Sequence, residues 1–149
     1  PLPATPVGDI EITADGLTAR ADAADVTHAL TAQTSCVIDA LSADNFSGID
    51  PGYGPRGGHI TGAVNLPSTQ LFAGPTAAFH DAATIHRHLA EAGLFDREQV
   101  ITYCGGAIAA TVVAFALALC DHPSVQVYDG SLMEWSRDPS LPMTNTSAD

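Results

Sequence analysis

The sequence predicts an α/β fold in which helices cover both faces of a mainly parallel β-sheet. Three short apolar segments have the character of buried strands, at residues 36–40, 99–103 and 125–128, and segments with helical periodicity alternate with them. The chain has 149 residues, of which 46% are hydrophobic and 15% charged. This length supports one hydrophobic core, and the composition is too apolar for a disordered chain.

The first third of the chain contains one helix and one strand that the pattern marks clearly. Residues 1–20 carry three of the ten prolines and are predicted to form a linker or leader, with a short strand at 10–12. The globular domain then covers residues 18–149. Asp22 is expected to cap a helix that ends near Gln33, and the strand at 36–40 follows. Residues 41–58, with seven glycines and prolines, are predicted to be loop.

The remaining elements follow from apolar periodicity and from breaker residues. Asp81 opens a helix with Ile85 and Leu89 on one face, and Gly93 closes it. The other predicted elements are a strand at 63–66, a helical turn at 70–72, the strand at 99–103, an apolar helix from about 109 to 120, the strand at 125–128 and a final helix at 131–137.

The charge of the chain excludes several classes of function. Seventeen acidic side chains face five basic ones, for a net charge of −12, and all five basic residues are arginines. Without lysine there is no Schiff-base or pyridoxal-phosphate chemistry. Scattered arginines on an acidic chain do not favour nucleic acid or an anionic membrane as a partner. The longest apolar run, residues 107–120, is too short to span a bilayer.

The cysteines and histidines suggest a reduced, metal-free protein. Cys36, Cys104 and Cys120 are odd in number and contain no CxxC pair, which predicts free thiols and a cytoplasmic location. His86 and His88, two residues apart on a helix, point to different faces, so no metal site is expected. The chain starts without an initiator Met or a signal pattern, so we expect it to come from a longer protein.

Cys104 is the candidate nucleophile because it directly follows a predicted strand and precedes two glycines. Ligands of open parallel sheets bind beyond the carboxyl ends of the strands. Gly105 and Gly106 permit a tight turn whose backbone N–H groups converge on one point and stabilise a negative charge there. The alternative for any lone cysteine is a buried structural thiol, which suits Cys36 and Cys120 better.

Four segments follow one another along the chain: VIDA at 37–40, GHITGAVNLP at 58–67, TYCGGAIAA at 102–110 and YDGSLMEW at 128–135. In this order they resemble a rhodanese domain, and the resemblance covers about Thr18 to Met143. They most resemble the catalytic C-terminal domain of tandem rhodanese sulfurtransferases. The resemblance implies a three-layer fold around a central, mainly parallel five-stranded sheet. It also implies an N-terminal rhodanese domain in the full-length chain, with residues 1–20 as the interdomain linker.

The resemblance further implies a sulfurtransferase without cofactor or metal. The Cys104 thiolate would take sulfane sulfur from a thiosulfate- or mercaptopyruvate-type donor, carry it as a persulfide and pass it to a thiol or cyanide-like acceptor. His59 and Asp39 are expected to serve as structural hydrogen-bonding groups, whereas Met133 and Trp135 either border the pocket or belong to the core. The backbone amides expected to bind the charge are those of Gly105, Gly106, Ala107, Ile108, Ala109 and Ala110.

The sequence also departs from the thiosulfate-using members of this family. Those proteins often carry basic residues after the cysteine and arginines after the first core strand, where this chain has Gly105, Gly106, Leu41 and Asn45. Arg56 is the nearest substitute and is predicted to bind substrate, with a solvated loop arginine as the alternative. The missing cations leave open a non-catalytic rhodanese-like binding or regulatory module. A cysteine phosphatase is excluded because the residue six after the cysteine is Ala110, where the C-x5-R motif needs arginine.

Overall fold

The computed structural model describes residues 19–32, 34–74 and 78–147. Its strands are β1 Arg20–Ala21, β2 Ser35–Asp39, β3 His59–Ile60, β4 Val64–Asn65, β5 Phe72–Ala73, β6 Ala78–Phe79, β7 Gln99–Tyr103, β8 Val125–Tyr128 and β9 Met143–Thr144. Its α-helices are α1 Ala23–Thr31, α2 Ala43–Ser47, α3 Ala82–Glu91, α4 Ile108–Leu119 and α5 Ser131–Trp135. Short 3₁₀ helices cover Ser68–Leu71 and Leu94–Asp96.

Five strands form the central sheet in the order β1-β8-β7-β2-β4, and every neighbouring pair in it is parallel. The predicted mainly parallel five-stranded sheet is therefore confirmed. β7 lies at its centre, in register with β2, so that Asp39 lies opposite Tyr103 at the carboxyl ends. These ends carry the loops that lead into α2 and α4, which places the chemistry of both loops at one edge of the sheet.

Helices flank this sheet and bury their apolar faces against it. α1 packs on β1 and β2 and buries Val26 and Ala29. α4 packs on β7 and β8, and its buried side includes Val113 and Leu117. Two small antiparallel pairs, β3 with β9 and β5 with β6, lie outside the central sheet. Within the described ranges, no helix has the length and hydropathy that crossing a membrane requires.

The structure corrects several predicted boundaries. The predicted loop at 41–58 contains α2, which Ser42 caps through its hydroxyl and Gly48 ends in a left-handed conformation at φ 92°. The sequence does not predict the short strands β1, β3, β5, β6 and β9, because a two-residue strand has no periodicity to detect. The predicted helical turn at 70–72 is the 3₁₀ helix one to two residues earlier, and α1 and α5 end before Gln33 and Arg137. The strand predicted at 10–12 lies outside the described residues, as does most of the predicted linker, 1–20.

Candidate functional site

Cys104 lies where the sequence predicts, between β7 and α4 at the carboxyl edge of the sheet. The residue is 2% exposed, and its sulfur atom has no disulfide partner. The other two cysteines lie elsewhere, Cys36 in β2 and Cys120 at the end of α4. Burial raises the pKa of both of those thiols, an effect opposed at Cys36 by Arg97 and reinforced at Cys120 by Asp121. Both thiols are thereby held in the protonated, unreactive form.

The loop after Cys104 turns sharply into α4. Ala107 adopts a left-handed conformation at φ 65°, uncommon for a residue with a Cβ atom, and caps the helix without a side-chain hydrogen bond. Its carbonyl accepts the first helical bond, from the Thr111 amide at 3.1 Å. This turn directs the N-terminus of the twelve-residue α4, with its partial positive charge, towards the loop that carries the cysteine.

The hydrogen bonds divide the six predicted cradle amides into two groups. The Ala107 amide donates to Ser131 Oγ at 3.1 Å, and the Ile108 amide donates to the Gly106 carbonyl at 3.0 Å. These two amides are engaged within the protein. Among the described residues, no acceptor is found for the remaining four amides, which belong to Gly105, Gly106, Ala109 and Ala110.

Ser131, the first residue of α5, binds the cysteine loop through its side chain. Its hydroxyl is fully buried, donates to the Tyr128 carbonyl at 2.9 Å and accepts from the amides of Cys104 at 3.3 Å and Ala107 at 3.1 Å. Ser131 has a positive φ of 49°, so its backbone is strained in the position that makes these bonds. Sequence reasoning did not single out Ser131, although it lies within the YDGSLMEW segment.

Helix α5 is joined to the same loop by its backbone. The amides of Leu132 and Met133 donate to the carbonyls of Cys104 and Gly105, both at 3.0 Å. Together with the two bonds that Ser131 accepts from the amides of Cys104 and Ala107, these contacts join the end of β7 to the start of α5. The conformation of the cysteine loop is therefore determined by a segment 27 residues further along the chain.

A pocket of about 340 Å³ opens beside Cys104. Tyr53, from the glycine-rich loop 48–58 between α2 and β3, forms one wall of the pocket. A Cβ atom on residue 105 would overlap the Tyr53 ring, so only glycine fits there. Met133, one of the residues expected to border the pocket, does so, whereas Trp135 is fully buried in the core. The lining residues are Leu41, Tyr53, Cys104, Gly105, Gly106, Ile108, Ala109 and Met133.

Arg56, the predicted substitute for the missing anion clamp, has a different set of partners. It does not belong to the pocket lining. Its guanidinium donates to four backbone carbonyls, which hold the segment after α5 against the glycine-rich loop. The acceptors are the carbonyls of Ser136 at 2.8 Å, Leu141 at 2.9 Å, Trp135 at 2.9 Å and Asp138 at 2.6 Å.

Asp39 and His59 make buried contacts outside the described lining of the pocket. The Asp39 carboxylate is fully buried and accepts the Leu41 amide at 2.9 Å, as predicted for a group that binds loop amides. Burial raises the pKa of Asp39 to about 6, although the Leu41 amide lowers it. The His59 ring stacks on Phe46 at 3.6 Å between centroids, with Nδ1 2.7 Å from the Phe46 carbonyl oxygen, which is a structural arrangement.

A second depression of about 690 Å³ adjoins the pocket and shares Met133 with it. Charged side chains of α5 and the segment after it line this depression, namely Glu134, Arg137 and Asp138. The described residues hold no group of three side chains suited to bind a metal ion.

Comparison with known proteins places these features in one family. The sequence matches the Rhodanese-like domain family over residues 18–138. The chain is 36% identical to 3-mercaptopyruvate sulfurtransferase of Escherichia coli K12 over 124 residues, covering 80% of this chain and 42% of that protein. It is 31% identical to the human 3-mercaptopyruvate sulfurtransferase over 114 residues, covering 74% and 38%. The chain thus spans about two fifths of the length of these relatives.

Two further similarities extend this comparison. The mitochondrial thiosulfate/3-mercaptopyruvate sulfurtransferase 1 of Arabidopsis thaliana is 28% identical over 113 residues, covering 74% of this chain and 30% of that protein. Among solved structures, the anaerobic ergothioneine biosynthesis enzyme from Chlorobium limicola superposes with a TM-score of 0.79. Its identity is 22%, and the match covers 86% of this chain and 32% of that one. At this identity the similarity shows a shared fold.

Proposed function

The chain belongs to the rhodanese family, and we propose that it acts as a sulfurtransferase with Cys104 as the sulfur carrier. The thiolate takes sulfane sulfur from a donor of the thiosulfate or mercaptopyruvate type and passes it to a thiophilic acceptor. The observation that carries this proposal is the position of Cys104, beside an open pocket and within a loop that has four backbone amides without acceptors. Named sulfurtransferases among the relatives agree with this activity.

The reaction requires two sulfur transfers. In the first, the Cys104 thiolate attacks the outer sulfur of the donor, and the bond between that sulfur and the rest of the donor breaks. The leaving group is sulfite from thiosulfate or the enolate of pyruvate from mercaptopyruvate, and the enolate then takes a proton from water. In the second transfer, an acceptor thiolate or cyanide attacks the outer sulfur of the persulfide, and Cys104 leaves as a thiolate.

The loop stabilises the negative charge that moves between the two sulfur atoms. Gly105 and Gly106 leave space around their amides, and Ala109 and Ala110 present the first N–H groups of α4, which have no acceptor within a helix. Preorganised backbone donors of this kind require no rearrangement as the charge shifts. Ser131 accepts the amides of Cys104 and Ala107 and so fixes the conformation of the loop. No general base is needed once the thiolate has formed.

A non-catalytic binding or regulatory module is the second candidate. It is favoured by one observation: among the residues that the structure describes, no charged side chain lines the pocket beside Cys104. Anionic sulfur donors would enter such a pocket without the arginine or lysine that usually pairs with them. In this alternative the fold and the cysteine persist while turnover is absent.

Intact mass spectrometry distinguishes the two candidates. The reduced protein is incubated with thiosulfate or with 3-mercaptopyruvate and then with cyanide. We expect the mass of one sulfur atom to be gained with at least one donor and lost with cyanide, in wild-type protein and in Cys120→Ser but not in Cys104→Ser. Absence of the added sulfur with both donors would favour the non-catalytic module.

We also propose a second rhodanese domain in the full-length protein and a cytoplasmic location. The relatives are about two and a half times as long as the matched segment, which is consistent with an additional domain. All three cysteines are free thiols, the usual state in a reducing compartment. Cell fractionation with thiol labelling after denaturation tests the location: labelling of all three cysteines in the cytoplasmic fraction is expected.

A further inference from the structure

The side chains around Cys104 form a wall of apolar groups. Leu41 lines the pocket just after β2, and Tyr53 lines it from the loop between α2 and β3. Ile108, the first residue of α4, and Met133 of α5 line it as well. Ile108 is 84% exposed and Met133 is 49% exposed, so both present apolar surface to solvent next to the sulfur atom. Exposed apolar groups that surround a reactive atom are typical of a surface that binds an apolar ligand.

None of the arginines is among the described residues that line the pocket beside Cys104. Arg56 binds four carbonyls, and Arg137 lines the neighbouring depression together with the carboxylates of Glu134 and Asp138. The net charge of −12 adds a long-range repulsion of anions. Of the other arginines, Arg20 pairs with Asp129 at 3.2 Å and Arg87 with Glu91 at 3.5 Å. Arg97 precedes β7 and lies near Cys36.

We infer that the acceptor of the sulfur is a thiol with an uncharged, apolar body, of the benzyl or alkyl thiol class. This inference rests on the proposed sulfurtransferase function and names its second substrate. The four amides without acceptors can stabilise one negative charge, that of the reacting sulfur. A carboxylate or sulfonate elsewhere on the acceptor would lose its hydration against Leu41, Tyr53, Ile108 and Met133 and gain no cation in return.

The transfer balances without any further reactant. The acceptor thiolate attacks the outer sulfur of the Cys104 persulfide, a new S–S bond forms on the acceptor, and the S–S bond to Cys104 breaks. Cys104 leaves with the electron pair as a thiolate, and the proton of the persulfide stays with the transferred sulfur. The sulfane sulfur passes between two thiols, so neither an oxidant nor a reductant is consumed.

The test compares two acceptors on a protein that carries sulfur only at Cys104. The Cys36→Ser/Cys120→Ser variant is loaded with inorganic polysulfide, and its discharge by benzyl mercaptan or 3-mercaptopropionate is followed by intact mass spectrometry. Each rate is divided by the rate at which the same thiol discharges a free cysteine persulfide. We expect a corrected preference of at least tenfold for benzyl mercaptan.

Two lysine substitutions test whether the pocket is the origin of this preference. Met133→Lys places a cation beside the sulfur and is expected to reduce the preference at least threefold. Leu119→Lys adds the same charge at an exposed apolar position at the far end of α4 and is expected to leave it unchanged. Equal corrected rates for the two thiols, or faster discharge by the anionic one, would overturn the inference and leave the sulfurtransferase proposal intact.

A binding measurement separates this inference from the proposed activity. In Cys104→Ser, benzyl mercaptan is expected to shift the amide NMR signals of Gly105 and Gly106, and 3-mercaptopropionate at equal concentration is not. If these shifts appear while no sulfur is ever transferred, the apolar pocket stands and the sulfurtransferase proposal falls. If benzyl mercaptan leaves both signals unchanged, the inference on the acceptor is wrong.

Discussion

Single residues at the site are held by contacts that a small substitution would remove. The Ser131 hydroxyl makes three hydrogen bonds in a fully buried position, and Gly105 leaves room for the Tyr53 ring. Asp39 is a buried carboxylate that stays in place through the Leu41 amide. Each of these residues acts on the cysteine loop or on the pocket wall without being the nucleophile. Their contributions can be measured separately from turnover.

Ser131→Ala removes an acceptor from two loop amides and a donor from the Tyr128 carbonyl. We expect the free energy of unfolding to fall by about 1–3 kcal/mol, the cost of leaving buried polar groups unpaired. Because the loop would also lose its fixed conformation, iodoacetamide should alkylate Cys104 several-fold more slowly at pH 7.5. Urea unfolding and alkylation followed by mass spectrometry measure the two effects.

Ser136→Ala is the matched control for this prediction. Ser136 is also buried, but its hydroxyl has no hydrogen-bond partner among the described residues. Its removal should leave both stability and alkylation close to wild type. Equal losses in the two variants would show that burial of a serine, and not the three bonds of Ser131, is responsible.

The two glycines after Cys104 should respond differently to alanine. In Gly105→Ala the new methyl group overlaps the Tyr53 ring, and we expect a loss of about 1–3 kcal/mol in the free energy of unfolding. In Gly106→Ala the methyl group meets only the Met133 side chain, with its sulfur atom at 3.3 Å, and this flexible side chain can move aside. Urea unfolding of both variants checks this order, and a larger loss at Gly106 would contradict the observed packing.

Asp39 makes stability depend on pH. Its pKa is raised from 3.8 to about 6 in the folded protein, so folding favours the protonated form. The stability from this group is present below pH 3.8 and is lost as the pH rises through 6, by about 3 kcal/mol in total. Asp39→Asn keeps an acceptor for the Leu41 amide and carries no charge. In urea unfolding, its free energy of unfolding should therefore rise relative to that of the wild type between pH 4 and pH 7.

Asp81→Asn provides a control of opposite sign. The Thr84 amide, which Asp81 caps at the start of α3, lowers the pKa of Asp81, so its stabilisation is present above pH 3.8 and disappears as the pH falls. The free energy of unfolding of the wild type should therefore rise relative to that of Asp81→Asn between pH 3 and pH 5. If both variants changed with pH in the same direction, the cause would be the overall charge and not burial of Asp39.

At the scale of elements, local signals determine where helices begin, and packing determines which short strands form. Asp22 and Asp25 form a reciprocal capping box at the start of α1: each carboxylate accepts a hydrogen bond from the backbone amide of the other residue. Such a signal is readable in sequence. β1, by contrast, consists of two residues that pair with Val127 and Tyr128 of β8, and this pairing exists only after the sheet has formed.

Asp22→Ala tests the contribution of the capping box. Loss of the carboxylate leaves the amides of Ala24 and Asp25 without their acceptor, and the free energy of unfolding should fall by about 1 kcal/mol. Glu98→Ala removes the same charge from an exposed position between elements and should change stability by less than about 0.5 kcal/mol. Urea denaturation compares the two, and equal losses would argue against the cap.

At the scale of the whole molecule, charge opposes compactness. Seventeen acidic side chains share one small domain with five arginines, so the folded state concentrates negative charge that the unfolded chain spreads out. The same field repels anionic reagents from the carboxyl edge of the sheet. The described lining of the pocket beside Cys104 contains no charged side chain, whereas Glu134, Arg137 and Asp138 line the depression that adjoins it.

Salt should therefore stabilise this protein. Raising NaCl from 10 mM to 300 mM shortens the Debye length from about 30 Å to less than 8 Å and screens the repulsion among the carboxylates. We expect the midpoint of urea unfolding at pH 7.5 to rise over this range. A midpoint that falls with salt would indicate that ion pairs such as Arg20–Asp129 outweigh the excess negative charge.

The sequence by itself determined the parallel α/β fold, the main strands β2, β7 and β8, and the position of Cys104 between β7 and α4. These features follow from local periodicity, capping residues and glycines, which neighbouring residues display together. The tertiary structure alone decided which amides of the loop remain free, that Tyr53 forms the pocket wall, and that Arg56 binds four carbonyls. Those outcomes depend on contacts between residues 27 to 85 positions apart, and no local pattern encodes which distant group arrives to occupy a donor.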